Sequence, residues 1–364
     1  MKIALIHDYL KNYGGAESVL LALHELYPEA PIYTIFSKVK KDGNDLLSLK
    51  FKDAKIIESW FAGIPFSDKL ISPLRFLIPL IWRGFGFKEF DIIISSASWA
   101  ITKGFAQGKT KEICYCHTPP RYLYGYETSK NWKKHFWIRI YTSLVNHFMR
   151  LYDFKRAQKV TLFVANSKEV QLRIRKFYRK ESVVINPPVD TPGFNNESRT
   201  KSDFFLTGGR LELPKNFDLI INACNKLMLN LKVFGKGSRE EYLRSIAGPK
   251  VEFLGAISDR EKFSLLLQCK AFVVAAADED FGITPVEAMA VGRPVIAYKG
   301  GGYLESVIDG KTGTFFDELS EECLIKALKN FDENKYKKED CQKQADKFSK
   351  ARFKEKIREV VENA

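Results

Sequence analysis

Two carboxylates, Glu279 and Glu287, stand eight residues apart in Asp278-Glu279-Asp280-Phe281-Gly282-Ile283-Thr284-Pro285-Val286-Glu287. Glu279 falls in the loop after a buried strand and before the helix that carries Glu287, so both can face one cleft. Carboxylates accept hydrogen bonds from vicinal hydroxyls, which makes a sugar or a ribose the natural guest. Glu287 also has a purely structural account. Thr284 reads as a helix N-cap, Pro285 as the first helical residue and Gly292 as the stop, so Thr284-x-x-Glu287 forms a capping box. Upstream, Thr207-Gly208-Gly209-Arg210 closes an apolar strand, with Lys215 five residues further on. Two cations beside a glycine turn suit a diphosphate, Arg forking onto two oxygens and Lys acting as a movable point charge. Two solvated surface cations would read the same. Gly235 and Gly237 mark a second such turn. Because Arg210 and Lys215 could already neutralise phosphate, metal binding at the carboxylates is not expected.

In the first half, Gly14-Gly15-Ala16-Glu17 separates a strand from a helical pattern. The glycine pair lets backbone approach a ligand, and the helix start offers unpaired N–H groups to an anion; a plain strand-to-helix turn is the alternative. The spacing is not G-x-G-x-x-G, so a dinucleotide fingerprint is not supported. His117 follows an apolar strand and precedes Pro119-Pro120, where an open α/β sheet presents ligand-facing groups. A zinc reading of Cys114, Cys116 and His117 fits none of the usual structural spacings. His7 and Asp8 sit at the mouth of the first strand; His24 is mid-helix and structural.

These residues need strands to carry them, and short apolar runs alternating with helical patterns supply them. The first half offers Ile3–Ile6, Ile32–Thr34, Ile92–Ile94, Ile113–Tyr115, Leu162–Ala165 and Val183–Ile185. The second offers Phe204–Leu206, Lys232–Phe234, Val251–Leu254, Ala271–Ala275, Val295–Ala297 and Gly313–Phe315. The fold class is therefore α/β, two parallel-sheet units in tandem: residues 1–186, a Pro/Gly linker at 187–193, and residues 194–345. Residues 346–364, with Phe348, Phe353, Ile357 and Val360 at helical spacing, form a terminal amphipathic helix that can pack back on the first unit.

A length of 364 residues favours two domains, and 45% hydrophobic with 28% charged residues excludes disorder and disulfide-stapled miniatures. Six cysteines without a C-x-x-C pair, and a start that runs straight into a strand, indicate no leader and a reduced, cytoplasmic setting. In the apolar segment Phe61–Phe87, Lys69, Arg75 and Arg83 break any span. Residues 1–190 hold 30 Lys+Arg against 17 Asp+Glu, whereas the rest is nearly balanced at 28 against 27. An anionic partner for the first half follows, nucleic acid or an acidic lipid surface. No nucleic-acid-binding module interleaves basic and aromatic residues, so nucleic acid is the weaker choice.

Taken together, Gly14-Gly15-Ala16-Glu17, Cys116-His117-Thr118-Pro119, Asn166-Ser167, Gly209-Arg210 with Lys215-Asn216, Phe253-Leu254-Gly255, and Glu279-x7-Glu287 followed by Ala288-Met289-Ala290-x-Gly292-x-Pro294-Val295 resemble the retaining glycosyltransferase family 4. The resemblance covers essentially the whole chain and implies the GT-B fold, two Rossmann-like domains facing across a cleft. It implies that Glu279 holds hydroxyls of the donor sugar and Glu287 the ribose. Arg210 and Lys215 would hold the diphosphate, with Gly14-Gly15 giving a backbone N–H from the other domain. His117 would touch the transferred sugar near the reacting centre, making His117, Arg210, Lys215 and Glu279 the catalytic set. Phe253 and Leu254 would lie near the base, and Phe281-Gly282-Ile283 would line the donor. Such enzymes need no metal or other cofactor.

The form Cys116-His117-Thr118-Pro119-Pro120-Arg121-Tyr122 resembles the branch that adds mannose in bacterial surface polysaccharide synthesis, with GDP-mannose the favoured donor. A glycan or polyprenyl-diphosphate-linked acceptor fits the basic first half and the aromatic, basic segments Phe61–Phe87 and Trp132–Arg156. It implies peripheral binding to the cytoplasmic face of the inner membrane, against a core-helix account of the same segments. A nucleotide-sugar epimerase or a phosphorylase of the same fold is the alternative within this class.

Overall fold

The computed structural model describes residues 1–128, 136–190 and 203–364. The chain divides into two compact units, one of Met1–Tyr126, Trp132–Pro188 and Ala351–Ala364, the other of Glu127–Asn131 and Val189–Lys350. Thr191, Pro192 and Gly193 of the expected linker, and the start of the Trp132–Arg156 segment, lie outside the described residues.

The first unit is built on strands β1 (Ile3–His7), β2 (Ile32–Thr34), β3 (Ile56–Glu58), β4 (Ile92–Ala97), β5 (Lys111–Cys116), β6 (Leu162–Ala165) and β7 (Ser182–Val184). They form one parallel sheet in the order β3-β2-β1-β4-β5-β6-β7. β1 and β4 are apolar throughout most of their length because helices cover both faces of the sheet. On one face the helix Gly15–Leu26 buries Val19, Leu20 and Leu23 with Leu5 and Ile94. On the other, Ile6 and Ile93 pack with Phe61, Ile78, Ile81, Trp82 and Phe87. Much of the apolar segment Phe61–Phe87 is thus core.

The second unit holds β8 (Phe205–Gly208), β9 (Leu231–Phe234), β10 (Val251–Gly255), β11 (Phe272–Val274), β12 (Val295–Tyr298) and β13 (Gly313–Phe316). Their order is β10-β9-β8-β11-β12-β13, again all parallel. Both sheets are doubly wound, and both reverse strand order at an inner pair, β1/β4 in one and β8/β11 in the other. The carboxyl ends of such a pair splay apart and leave a crevice, the usual ligand site of open α/β sheets.

Every expected strand is found with small shifts at its ends; β3 is additional. The terminal helix differs from expectation. It runs Lys350–Glu362 and buries Phe353, Ile357 and Val361 in the first unit, with the rings of Tyr115 and Phe353 5.8 Å apart. Phe348 is not on it: its ring lies 5.1 Å from Phe281 in the core of the second unit, and its carbonyl accepts from Val189 N–H at 2.9 Å. Val360, read as part of the seam, is only half-buried, because the chain enters the helix at Lys350 and Val361 takes the inward position.

Candidate functional site

In the second unit, β8 and β11 deliver the cations and the first carboxylate side by side. Thr207 Oγ1 donates to Val273 O at 2.7 Å, locking the two strand ends together. Beyond β8, Lys215 ends a short 3-10 turn, and Asn216, in a left-handed conformation at φ 50°, donates its Nδ2–H to Ala275 O at 2.9 Å. That anchor aims Lys215 at the loop after β11, where its ammonium forms an ion pair with Glu279 Oε2. Tyr303 O–H donates to the same oxygen at 3.2 Å. Arg210 stands exposed at the end of β8.

Backbone packs unusually close here. A Cβ on Gly235, which has φ +111°, would fall 1.8 Å from Gly209 O, and Gly235 N–H donates to Gly255 O at 2.6 Å. The turns after β8, β9 and β10 are therefore stacked main chain on main chain, which only glycine permits. A Cβ on Gly302 would likewise meet Phe281 Cα at 2.3 Å, and Gly302 N–H donates to Glu279 O at 2.8 Å. The loop after β12 thus grips the Glu279 loop through its backbone.

Glu287 departs from its capping-box account. The helix runs Ile283–Ala290 with Gly282, at φ 87°, as N-cap and no side-chain cap, so Thr284 is already inside the helix. Glycine takes the cap position because the chain must turn through a left-handed conformation there. The Glu287 carboxylate reaches instead to Lys262 Nζ, 2.8 Å away, and Lys262 also pairs with Asp259 at 3.1 Å. Burial raises the Glu287 pKa, and Lys262 opposes that rise. For Lys262, burial pulls the pKa down, but the charges of Glu287 and Asp259 outweigh it and the net shift is upward.

The remaining second-unit residues differ in exposure. Phe281 is core, 2% exposed, so only its backbone can face a ligand, whereas Gly282 and Ile283 open the helix. Phe253 lies at an irregularity in β10, its ring 4.7 Å from the Arg244 guanidinium, with Leu254 half-buried beside it.

In the first unit, β1, β4 and β5 bring His7, Ser96 and His117 into one buried row, with Ser96 Oγ 3.0 Å from His7 Nδ1 and 2.8 Å from His117 Nε2. Asp8 serves structure, accepting from Ser98 N–H at 3.2 Å, Ser98 O–H at 2.7 Å and the Thr102 hydroxyl. Gly14 precedes the helix Gly15–Leu26 in extended conformation with no side-chain cap, and Gly15 is exposed. Cys114 and Cys116 are buried with Phe163 and Tyr178, on strand positions apart from the His117 ring row. Among the described residues no group of three or more His, Cys, Asp or Glu is arranged to hold a metal ion.

Lys262, Tyr303, Gly302 and Ser96 were invisible as site residues in the sequence. The first three could have been suspected only from the glycine run Gly300-Gly301-Gly302 after β12 and from the absence of another partner for a buried Glu287.

Two doubly wound parallel-sheet units of this kind define the GT-B class of fold. Solved structures of that class agree across the chain: *Anabaena* Alr3699/HepE in complex with UDP and glucose covers 100% of both chains with TM-score 0.71 at 19% identity. Sucrose-phosphate synthase from *Thermosynechococcus elongatus* covers 100% and 99% with TM-score 0.72 at 15% identity. Residues 191–348 match the family model of the glycosyl transferases group 1. Sequence relatives include the alpha-1,3/1,6-mannosyltransferase ALG2 of *Dictyostelium discoideum*, 26% identical over 63% of this chain and 64% of that protein. The ALG2 of *Candida glabrata* is 26% identical over 85% and 78%. The chain spans about three fifths of the length of several such relatives, 61% of the human and of the mouse protein.

Proposed function

We propose that the chain is a retaining glycosyltransferase of the family 4 kind, moving mannose from GDP-mannose to a glycan or polyprenyl-diphosphate-linked acceptor in surface polysaccharide synthesis. The observation that carries this reading is the Lys215–Glu279–Tyr303 cluster at the β8/β11 crevice, a cation and a hydroxyl-binding carboxylate held within one another's reach. Lys215 and Arg210 take the diphosphate, Glu279 the sugar hydroxyls and Glu287 the ribose. In this reading, His117 of the first unit is a group that touches sugar hydroxyls and the Gly14-Gly15 backbone is one that touches phosphate. Mannose is supported by the named activity of the ALG2 relatives.

Breaking the anomeric C–O bond leaves a diphosphate with added negative charge and an oxocarbenium-like sugar. A cation preorganised on the diphosphate stabilises that state more than the ground state. The departing phosphate oxygen takes the acceptor's proton on the same face, so no side chain is needed as general base. Arg210 and Lys215 supply positive charge for the diphosphate, which supports a metal-independent reaction.

Membrane-surface binding is supported by the helix Phe136–Ala157. Trp137, Ile140, Leu144, Phe148 and Leu151 recur on one face and are exposed, Trp137 at 78%. The exposed ionisable groups along it, Arg139, His147, Arg150 and Lys155, include no acid. Phe76 and Leu80 add exposed apolar area on a neighbouring segment, which Arg75 ties to this helix through Asn146 Oδ1 at 3.4 Å. Among the described residues no helix is long and apolar enough to cross a membrane. An amphipathic face of this kind lies in the interface plane.

Calorimetry with GDP, UDP and ADP, followed by mannosyl transfer from GDP-mannose in the presence of EDTA, tests the reading. GDP binding and EDTA-resistant transfer are expected. Failure to bind any nucleoside diphosphate would overturn it.

A further inference from the structure

Three strand ends of the first sheet meet in a hydrogen-bonded row. His7 ends β1, Ser96 stands opposite it in β4, and His117 follows β5 by one residue. All three are buried, at 2%, 0% and 9% exposure. At the far end, Glu17 Oε1, in the first turn of the helix Gly15–Leu26, lies 3.8 Å from His7 Nε2.

A hydroxyl carries one proton, so Ser96 can donate to only one of the two imidazoles and must accept from the other. The tautomers of His7 and His117 are therefore coupled. Glu17 sets the direction. Its carboxylate favours a proton on His7 Nε2, which leaves His7 Nδ1 a lone pair and turns the Ser96 O–H toward it. Ser96 Oγ then accepts from His117 Nε2–H. Burial, with the neighbouring His7, holds the His117 pKa down at about 4, so its ring is neutral at neutral pH and has a tautomer to be set. His117 Nδ1 makes no hydrogen bond to a described residue.

We propose that Glu17, His7 and Ser96 are positioning residues that hold His117 as the Nε2–H tautomer, so that its Nδ1 lone pair accepts from a hydroxyl of the transferred sugar. The sugar contact rests on the proposed donor reading; the tautomer does not.

Nitrogen-15 NMR of the full chain with labelled histidine reads the tautomer without any donor present. At neutral pH the wild type is expected to carry the His117 proton on Nε2. Ser96→Ala should release the ring into a mixture of tautomers, Ser96→Thr should restore the single form, and Glu17→Gln should move His117 toward the Nδ1–H form. A wild-type His117 protonated on Nδ1, or a ring unchanged in both Ser96→Ala and Glu17→Gln, overturns the relay. With a nucleotide sugar, Ser96→Ala should lose about tenfold in kcat, the size of one misdirected hydrogen bond, with affinity for the bare nucleoside diphosphate unchanged. An equal loss of diphosphate affinity would count against positioning of the sugar. If no nucleotide sugar binds while the NMR result holds, the donor reading fails and the relay stands.

Discussion

Lys262 Nζ lies 2.8 Å from Glu287 Oε1, joining residues twenty-five positions apart on neighbouring helices of the second unit. Lys262 opposes the upward pull that burial exerts on the Glu287 pKa. Lys262→Met removes the group that opposes the upward shift of Glu287, so the folded-state pKa moves further above the ordinary 4.5. A carboxyl raised in the folded state withdraws stability as pH rises from its unfolded value through the folded one. The deficit of the variant against wild type should therefore be small near pH 4 and grow to about 3 kcal/mol at pH 8. Urea denaturation across that range checks it; a deficit independent of pH would show that the pair contributes only packing.

Lys215 pairs with Glu279 in partly solvated surroundings, at 34% and 15% side-chain exposure. Its removal should cost at most about 1 kcal/mol of stability. Turnover should fall about 10²–10³-fold, the usual cost of deleting one group that stabilises charge in a transition state. Steady-state kinetics beside thermal denaturation of Lys215→Ala separates the two; comparable losses in both would reduce Lys215 to a structural residue.

His117 is held neutral, its pKa lowered from 6.5 to about 4 by burial first and by His7 second. As pH falls below 6.5 the unfolded chain takes up a proton there that the folded chain refuses, so stability is lost down to about pH 4. Wild type should lose about 3 kcal/mol more than His117→Gln over that window. Parallel denaturation profiles for the two proteins would contradict this assignment.

The exposed row Trp137, Ile140, Leu144, Phe148 and Leu151 has basic flanks. Trp137→Glu with Leu144→Glu should abolish sedimentation with phosphatidylglycerol vesicles at low salt, while leaving the melting temperature within about 2 °C, since both side chains are on the surface. Vesicle binding that survives both changes would place the lipid contact elsewhere.

Short apolar runs between helical patterns made most strands legible, because central parallel strands such as Ile92–Ala97 are buried on both faces. β3 escaped notice: it is three residues long, lies at the sheet edge and is only partly buried. Local capping logic misread Thr284, because the left-handed Gly282 and the distant Lys262 decide that helix start and the fate of Glu287. Phe348 fitted the helical spacing of Phe353 and Ile357, yet belongs to another core. The His7–Ser96–His117 row joins residues up to 110 positions apart, and no spacing rule announces a contact made by strand register.

The most direct measurement is a crystal structure of the full chain soaked with GDP-mannose. The diphosphate should rest on Lys215 and Arg210, with Glu279 released from Lys215 to the sugar hydroxyls and Glu287 on the ribose. A nucleotide sugar bound away from the β8/β11 strand ends, with the Lys215–Glu279 pair intact, would contradict the account.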